Sequence, residues 1–389
     1  MRFKSLLFLA LPTALIAQRQ APPKVDIPKL TDPATPQSVR ALLSVIAADS
    51  MEGRLVWSAG SHRAAKFIAE QMKKIGLAPG GDSGYFQKIP GALMAGSTRI
   101  QRLPNLSDLD TVPADRRRIT VNVVGLIPGK GWNGPDSTIL VDAHFDHIGV
   151  VGAGPCTATG EDTICNGADD DASGTVAVLE IARLIKRMGQ QPSRTLVFAT
   201  TTGEEGGLVG TRYYIDHPVR PLNTMAANLE IEMIGRPDTI AVGPGRAWLT
   251  GFERSSMGET FQFNGLPIVA DMRPSQGFFR RSDNIAFAQM GIPAHTLSSF
   301  NLHTDYHHAT DDVSKVDFNH MSTLINISAR AVWVLSEAPA PQWYPGGRPC
   351  PAAQGGGGGG RGRGGPQMTP AQQDSARIAN QYPRTCPGM

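Results

Sequence analysis

Cysteine is scarce, at four residues in a chain of 389, which excludes a small fold stapled together by disulfides. An excess of one charge is missing too. Lys and Arg number 37 against 34 Asp and Glu, a net charge of +3, and so small a balance argues against a dedicated nucleic-acid surface. Beyond the N-terminus, no apolar run reaches the ~18 residues of a membrane span. What the chain does have is 41% apolar residues, enough for a large core and too many for a disordered protein. Length alone allows two to three domains, or one long α/β domain of roughly 300 residues. Glycine (43) and proline (30) are plentiful. Part of that excess is local, because residues 355–365 contain only glycine and arginine.

Residues 1–17 read as a secretory signal. Arg2 and Lys4 precede an uncharged, mostly apolar run over 6–17, too short for a bilayer ~30 Å thick. No cysteine follows it, which argues against a lipoprotein anchor. Export would make disulfides of Cys156, Cys165, Cys350 and Cys386. Three pairings are open, and the local one, Cys156 with Cys165 and Cys350 with Cys386, is the simplest. Neither pair has the close spacing of a zinc-binding cysteine motif.

Residues 18–36 form a Pro-rich, extended entry segment, and 339–389 a Pro/Gly/Arg-rich linker and tail. Between them, 37–338 alternates helical and strand patterns. Val39, Leu42, Leu43 and Ile46 make a helical stripe, and Ala64, Ile68, Met72 and Ile75 a second, ended by Gly76. Further helices are expected over 172–188, 282–290 and 316–335. Strands are expected over 120–126, 138–143, 195–200, 226–234, 240–242 and 293–297. This order predicts an α/β three-layer sandwich with a mostly parallel central sheet flanked by helices. Such sheets bind ligands outside the carboxyl ends of their strands.

Acids and imidazoles gather at those ends. The segment 144–147 holds two His and an Asp, 169–171 three Asp, 204–205 two Glu, and 303–308 three His and an Asp, with Glu232 closing the 226–234 strand. Packing does not require this, since buried carboxylates are costly unless paired or metal-bound. Imidazole with carboxylate suits zinc or another first-row ion. There are more donors than one ion can use, and a shared carboxylate could bridge two ions ~3.5–4 Å apart. A dinuclear hydrolytic site follows as an expectation.

Six segments in order, His144-Phe145-Asp146, Asn166-Gly167-Ala168-Asp169-Asp170-Asp171, Thr202-Gly203-Glu204-Glu205-Gly206, Glu232-Met233-Ile234-Gly235-Arg236, Arg281-Ser282-Asp283 and Asp305-Tyr306-His307, resemble the M28 family of di-zinc aminopeptidases. The resemblance extends to Met51-Glu52-Gly53-Arg54 and Asn122-Val123-Val124-Gly125, and spans roughly residues 37–336. It implies two Zn²⁺ per chain, with His144 and Glu232 holding one, Glu205 and His307 the other, and Asp170 bridging them. Glu204 would be the general base, Asp146 would orient His144, and Tyr306 and Arg281 would stabilise the oxyanion. Glu232 departs from the family, which more usually has Asp there. Glu230, Asp169, Asp171, His303 and His308 stand as rival donors.

The implied function is a secreted, periplasmic or extracellular zinc exopeptidase acting on peptide or protein substrates, most simply an aminopeptidase. It would have no nucleic-acid partner and no membrane anchor once the signal is removed. Alternatives are a carboxypeptidase or dipeptidase on the same scaffold, a glutaminyl cyclase, or a peptidase-like binding module without catalysis. The preferred side chain and the oligomeric state are not legible in the sequence.

Overall fold

A computed structural model describes residues 22–132, 137–240 and 243–350. Ten strands lie in one sheet among the described residues: β1 (Ala78–Pro79), β2 (Phe86–Leu93), β3 (Ile100–Arg102), β4 (Arg117–Ile127), β5 (Thr138–His144), β6 (Thr195–Thr201), β7 (Met225–Ile231), β8 (Ala247–Leu249), β9 (Ile268–Ala270) and β10 (Ala294–Ser298). Their order is β3-β2-β4-β6-β5-β7-β10-β8-β9, with β1 paired to β4. The central four, β6, β5, β7 and β10, run parallel. Antiparallel pairs flank them, β4 against β6 on one side and β8 against β10 on the other.

Every residue of β5 and β6 is buried, because both faces of the sheet are covered. Alternate side chains serve opposite cores. Ile139, Val141, Leu196 and Phe198 enter one, while Leu140, Val197 and Ala199 enter the other. Helices α1 (Pro36–Ile46), α2 (Ala59–Ile75), α3 (Gly174–Arg187), α5 (Met257–Phe263) and α7 (Phe318–Glu337) supply the first. The second core takes residues from α4 (Val209–Asp216) and α6 (Asn284–Gln289). The helices begin where the sequence caps them. Thr35 and Ser38 form a reciprocal cap on α1, Ser58 caps α2, and Asp317 caps α7. Val39, Leu43 and Ile46 of α1 are fully covered, each stabilising the fold by roughly 1.5–3 kcal/mol relative to exposure.

The expected strand over 240–242 begins wrongly, since Ile240 lies in a turn and is 87% exposed; residues 241 and 242 lie outside the described residues. The entry segment is pinned to the domain: Val25 is buried, its N–H donates to Asn264, and Trp333 donates to the Asp26 carbonyl. Residues 339–350, expected to begin a linker, pack back onto the sheet's second face. There Trp343 lies against Phe279 and His295 and donates to the Gly291 carbonyl. The signal segment 1–17, the Gly/Arg tail and Cys386 lie outside the described residues.

Candidate metal centre

Because β5, β6, β7 and β10 are parallel, their carboxyl ends share one edge of the sheet. His144 is the last residue of β5, Glu204 and Glu205 follow β6, Glu232 follows β7, and the loop carrying His307 follows β10. Asp170 reaches the same edge from the turn Ala168–Ser173, entered through Gly167 in the left-handed region and running into α3. That turn replaces the first residues of the helix expected from 172.

Two donor groups form around Asp170: His144, Asp170 and Glu232 in one, and His147, Asp170 and Glu205 in the other, each set of ligand atoms lying within 4.8 Å of one another. His144 Nε2 is 3.4 Å from Asp170 Oδ1 and 3.8 Å from Glu232 Oε1. His307 Nε2 is 3.0 Å from Asp170 Oδ2 and 3.2 Å from Glu205 Oε1. The expected donors therefore converge, and the two oxygens of Asp170 face opposite ways, one toward each group. His144 Nε2, both nitrogens of His147 and Asp170 Oδ2 are buried without a hydrogen-bond partner among the described residues. Such orphans at spacings suited to coordination fit divalent ions.

The rival donors are engaged elsewhere. Asp169 accepts from Gly235 N–H, Ser173 and His303. Asp171 accepts from the N–H groups of Gly174 and Met233. Glu230 accepts from Ser282, Thr296 and the N–H groups of Asp283 and Asn284. His308 is exposed. Asp146 stands between two functional candidates: its carboxylate accepts the Glu204 N–H at 3.1 Å, and its backbone carbonyl lies 3.2 Å from His144 Nδ1. The carboxylate itself is 3.7 Å from that nitrogen.

Burial alone would push the His144 imidazole down, but Asp146, Asp170 and Glu232 outweigh it and hold its pKa well above the usual range. For Asp170, burial favours the neutral acid, yet the imidazoles of His144 and His307 hold its pKa well below the carboxylate range. Burial drives His147 down to about 3, so its ring is neutral at physiological pH. Tyr306 is pushed up by burial and by the charge of Asp170, which keeps its phenol a hydrogen-bond donor; its ring stacks on His307 with centroids 3.9 Å apart.

Sequence reasoning gave no role to three features. The first is His147, present in the 144–147 cluster but absent from the roles the resemblance assigned. The second is Arg54, fully buried, which donates to the carbonyls of Phe145, Ile46, Asn166 and Gly167 and so ties the His144 loop to the Asp170 turn. The third is a pocket whose wall joins Glu232 and Arg281 to the apolar Met233, Trp248, Phe278 and Phe300 and the polar Thr250, Thr296, Ser298 and Tyr306. The Arg281 guanidinium lies 5.2 Å from the centre of the Phe278 ring.

Fold and site together define an α/β sandwich with a candidate two-ion centre of imidazole and carboxylate at the carboxyl edge of its parallel strands. Residues 122–332, just over half of the chain, match peptidase family M28, and the chain belongs to that family. It is similar to leupeptin-inactivating enzyme 1 of Streptomyces exfoliatus, 25% identical over 52% of this chain and 47% of that one. It is also similar to leucine aminopeptidase 1 of Trichoderma harzianum, 27% identical over 55% and 54%. The chain thus spans about half the length of these curated relatives. Its fold is similar to that of a zinc aminopeptidase from Bacillus subtilis, with a TM-score of 0.55 at 14% identity over 78% of this chain and 95% of that one. A glutaminyl cyclase from Porphyromonas gingivalis gives 0.53 at 14% identity over 78% and 99%.

Proposed function

We propose that this chain is an exported, zinc-dependent aminopeptidase. The observation that carries the reading is the arrangement of His144 with Glu232 and of Glu205 with His307 on opposite oxygens of Asp170, with Glu204 next in sequence to one of these donors. His144, Asp170 and Glu232 would hold one ion; Asp170, Glu205 and His307 would hold the other. When bound, the two ions supply Lewis acidity, making a water acidic near neutral pH and polarising the carbonyl to be attacked. Glu204 would take one proton of the attacking water and pass it to the amine nitrogen as the C–N bond breaks, leaving the water's oxygen and second proton on the new carboxyl group. Its position is set through the backbone, because Asp146 accepts its N–H. Tyr306, neutral and half-buried, and Arg281 donate toward the oxyanion of the attacked carbonyl.

The pocket mixes the apolar side chains of Met233, Trp248, Phe278 and Phe300 with Thr250, Thr296 and Ser298, and the Glu232 carboxylate in its wall suits a free ammonium. Relatives named as aminopeptidases support the same reading. Export is supported by the disulfide between Cys156 and Cys165, since such bonds persist in oxidising compartments. No helix among the described residues is long and apolar enough to cross a membrane.

A screen of apolar-headed peptides with free or acetylated N-termini, together with a glutamine-headed one, tests the proposal. Free peptides should release their first residue, acetylated ones should resist, and chelator should abolish the reaction. Equal cleavage of both would rule out an aminopeptidase, and cyclisation of N-terminal glutamine without hydrolysis would point to the glutaminyl cyclase alternative.

A further inference from the structure

The pocket beside Glu232 owes part of its apolar wall to an irregular segment between β9 and α6. Phe278 stacks on Trp248 with ring centroids 5.1 Å apart and meets Phe300 edge to face at 5.9 Å, and all three rings line the pocket. Residues 273–281 carry Phe278 in two consecutive short turns, closed by backbone bonds from Gln276 to Arg273, Gly277 to Pro274, Arg280 to Gly277 and Arg281 to Phe278. Turns this short are weakly held by their own hydrogen bonds, so the place of Phe278 depends on anchors at the two ends. One end is held by Glu230, which accepts from the N–H groups of Asp283 and Asn284. The other is held by Asp238. Arg273 donates one guanidinium nitrogen to each Asp238 oxygen, Nη2 to Oδ1 at 2.8 Å, and its own N–H closes a turn on Asp271 at 2.7 Å. The Asp238 side chain is fully buried, while that of Arg273 is 17% exposed. Asp238 follows a fixed stretch of backbone, because Ser299 donates to the Arg236 carbonyl and Asn301 to the Pro237 carbonyl.

A buried carboxylate is costly even when paired, and such a pair often adds little net stability. What a two-pronged guanidinium–carboxylate contact does add is a fixed direction and distance. We propose that Asp238 and Arg273 are positioning residues: their ion pair holds segment 273–281 so that Phe278 forms the pocket wall, and through Phe278 it sets a preference for large apolar terminal side chains over small ones. This rests on the reading of the chain as an aminopeptidase whose pocket receives the terminal side chain. Neither residue lines the pocket, so the pair acts at one remove. Releasing it lets the Phe278 ring shift against Trp248 and Phe300, while the donors of the metal centre, carried by other segments, stay where they are.

The test compares kcat/KM for phenylalanyl and alanyl p-nitroanilides in full-length, zinc-loaded protein. Asp238→Asn keeps the shape of the side chain and removes its charge. It should reduce the phenylalanyl-to-alanyl ratio by ~10-fold or more, the scale on which lost contact in an apolar pocket is felt. The change should come chiefly through KM for the phenylalanyl substrate, with alanyl turnover close to wild type. Arg273→Lys, at a partly exposed position, keeps the charge without the fork and should move the ratio the same way by less. Phe278→Ala should itself reduce the ratio, and adding Asp238→Asn to it should change the ratio little further, because the two act in series. A variant that was merely less folded would lower both substrates together and leave the ratio alone. A wild-type ratio in both Asp238→Asn and Arg273→Lys, or an equal further fall when Asp238→Asn is placed on Phe278→Ala, would overturn the inference and leave the aminopeptidase reading intact. Wild-type protein that binds zinc yet hydrolyses neither substrate would overturn both.

Discussion

Glu204 and Glu205 are adjacent and chemically alike, and the proposed scheme gives them different duties. Glu205 Oε1 faces the nitrogens of His147 and His307, whereas the Glu204 backbone N–H is held by Asp146, and the proposed scheme gives Glu204 the proton transfer. Glu204→Gln should therefore lower kcat by ~10²–10⁴-fold while the protein keeps its zinc, measured by turnover of an aminoacyl anilide and by elemental analysis of the same sample. Full activity would remove the base assignment. Away from the centre, His295 illustrates a structural imidazole. The Thr250 carbonyl can only accept, so Nδ1 carries the proton and Nε2 accepts from the Ser255 hydroxyl at 2.7 Å. Burial drives this His down to about 4. A depressed His pKa means that the unfolded chain, near ~6.5, binds the proton first. Stability from this residue is thus present above pH ~6.5 and lost as pH falls toward 4, by roughly 3 kcal/mol in all. In metal-loaded protein, His295→Gln should flatten the fall in Tm between pH 6.5 and 4; an unchanged slope would place the proton uptake elsewhere.

At the scale of elements, the centre depends on loops being held to one another before any ion binds. Arg54 does this with four carbonyls from three segments, and burial lowers its pKa only to about 10, so it stays charged. Arg54→Met would strand those carbonyls at ~1–3 kcal/mol each. Chemical denaturation should show a loss of about 4 kcal/mol or more, together with weaker zinc binding; wild-type values for both would make the clamp dispensable. Strong, continuous signals were the legible ones: β5 and β6 as mostly apolar runs, α1 and α2 as stripes, the second ended by Gly76, and the acidic and imidazole clusters at strand ends. What escaped had weak local signals. Strand β2 carries Pro90 and Gly91 in its interior, β8 and β9 have three residues each, and α4 has eight with a diluted apolar face. Asp170 could not be told from its neighbours by pattern, because only the folded turn shows Asp169 and Asp171 spent on backbone N–H groups. His147 was visible as a second imidazole three residues beyond His144, but its direction depends on the space left by Gly167.

For the whole molecule, the decisive fact is that the donors come from separate segments between residues 144 and 307, carried by four parallel strands and the turn before α3. Without ions, the site gathers the carboxylates of Asp170, Glu205 and Glu232 beside three imidazoles, in a region where ordinary solvation is largely excluded. Ions that bind only the folded chain must then stabilise all of it, by ~2.7 kcal/mol per site at a free concentration 100 times Kd. Two sites would give about 5 kcal/mol, and at the ~2–4 °C per kcal/mol of a domain somewhat smaller than this one, a shift on the order of 10 °C. Chelation should lower Tm by about that much in wild-type protein, and Tm should climb with the logarithm of free zinc on reloading. Asp170→Asn weakens the shared bridge and should abolish both responses, although its own Tm can lie close to that of the stripped wild type. Differential scanning calorimetry across a zinc series decides the matter: a wild-type Tm indifferent to chelator and zinc would mean that the strand ends converge for some reason other than holding metal.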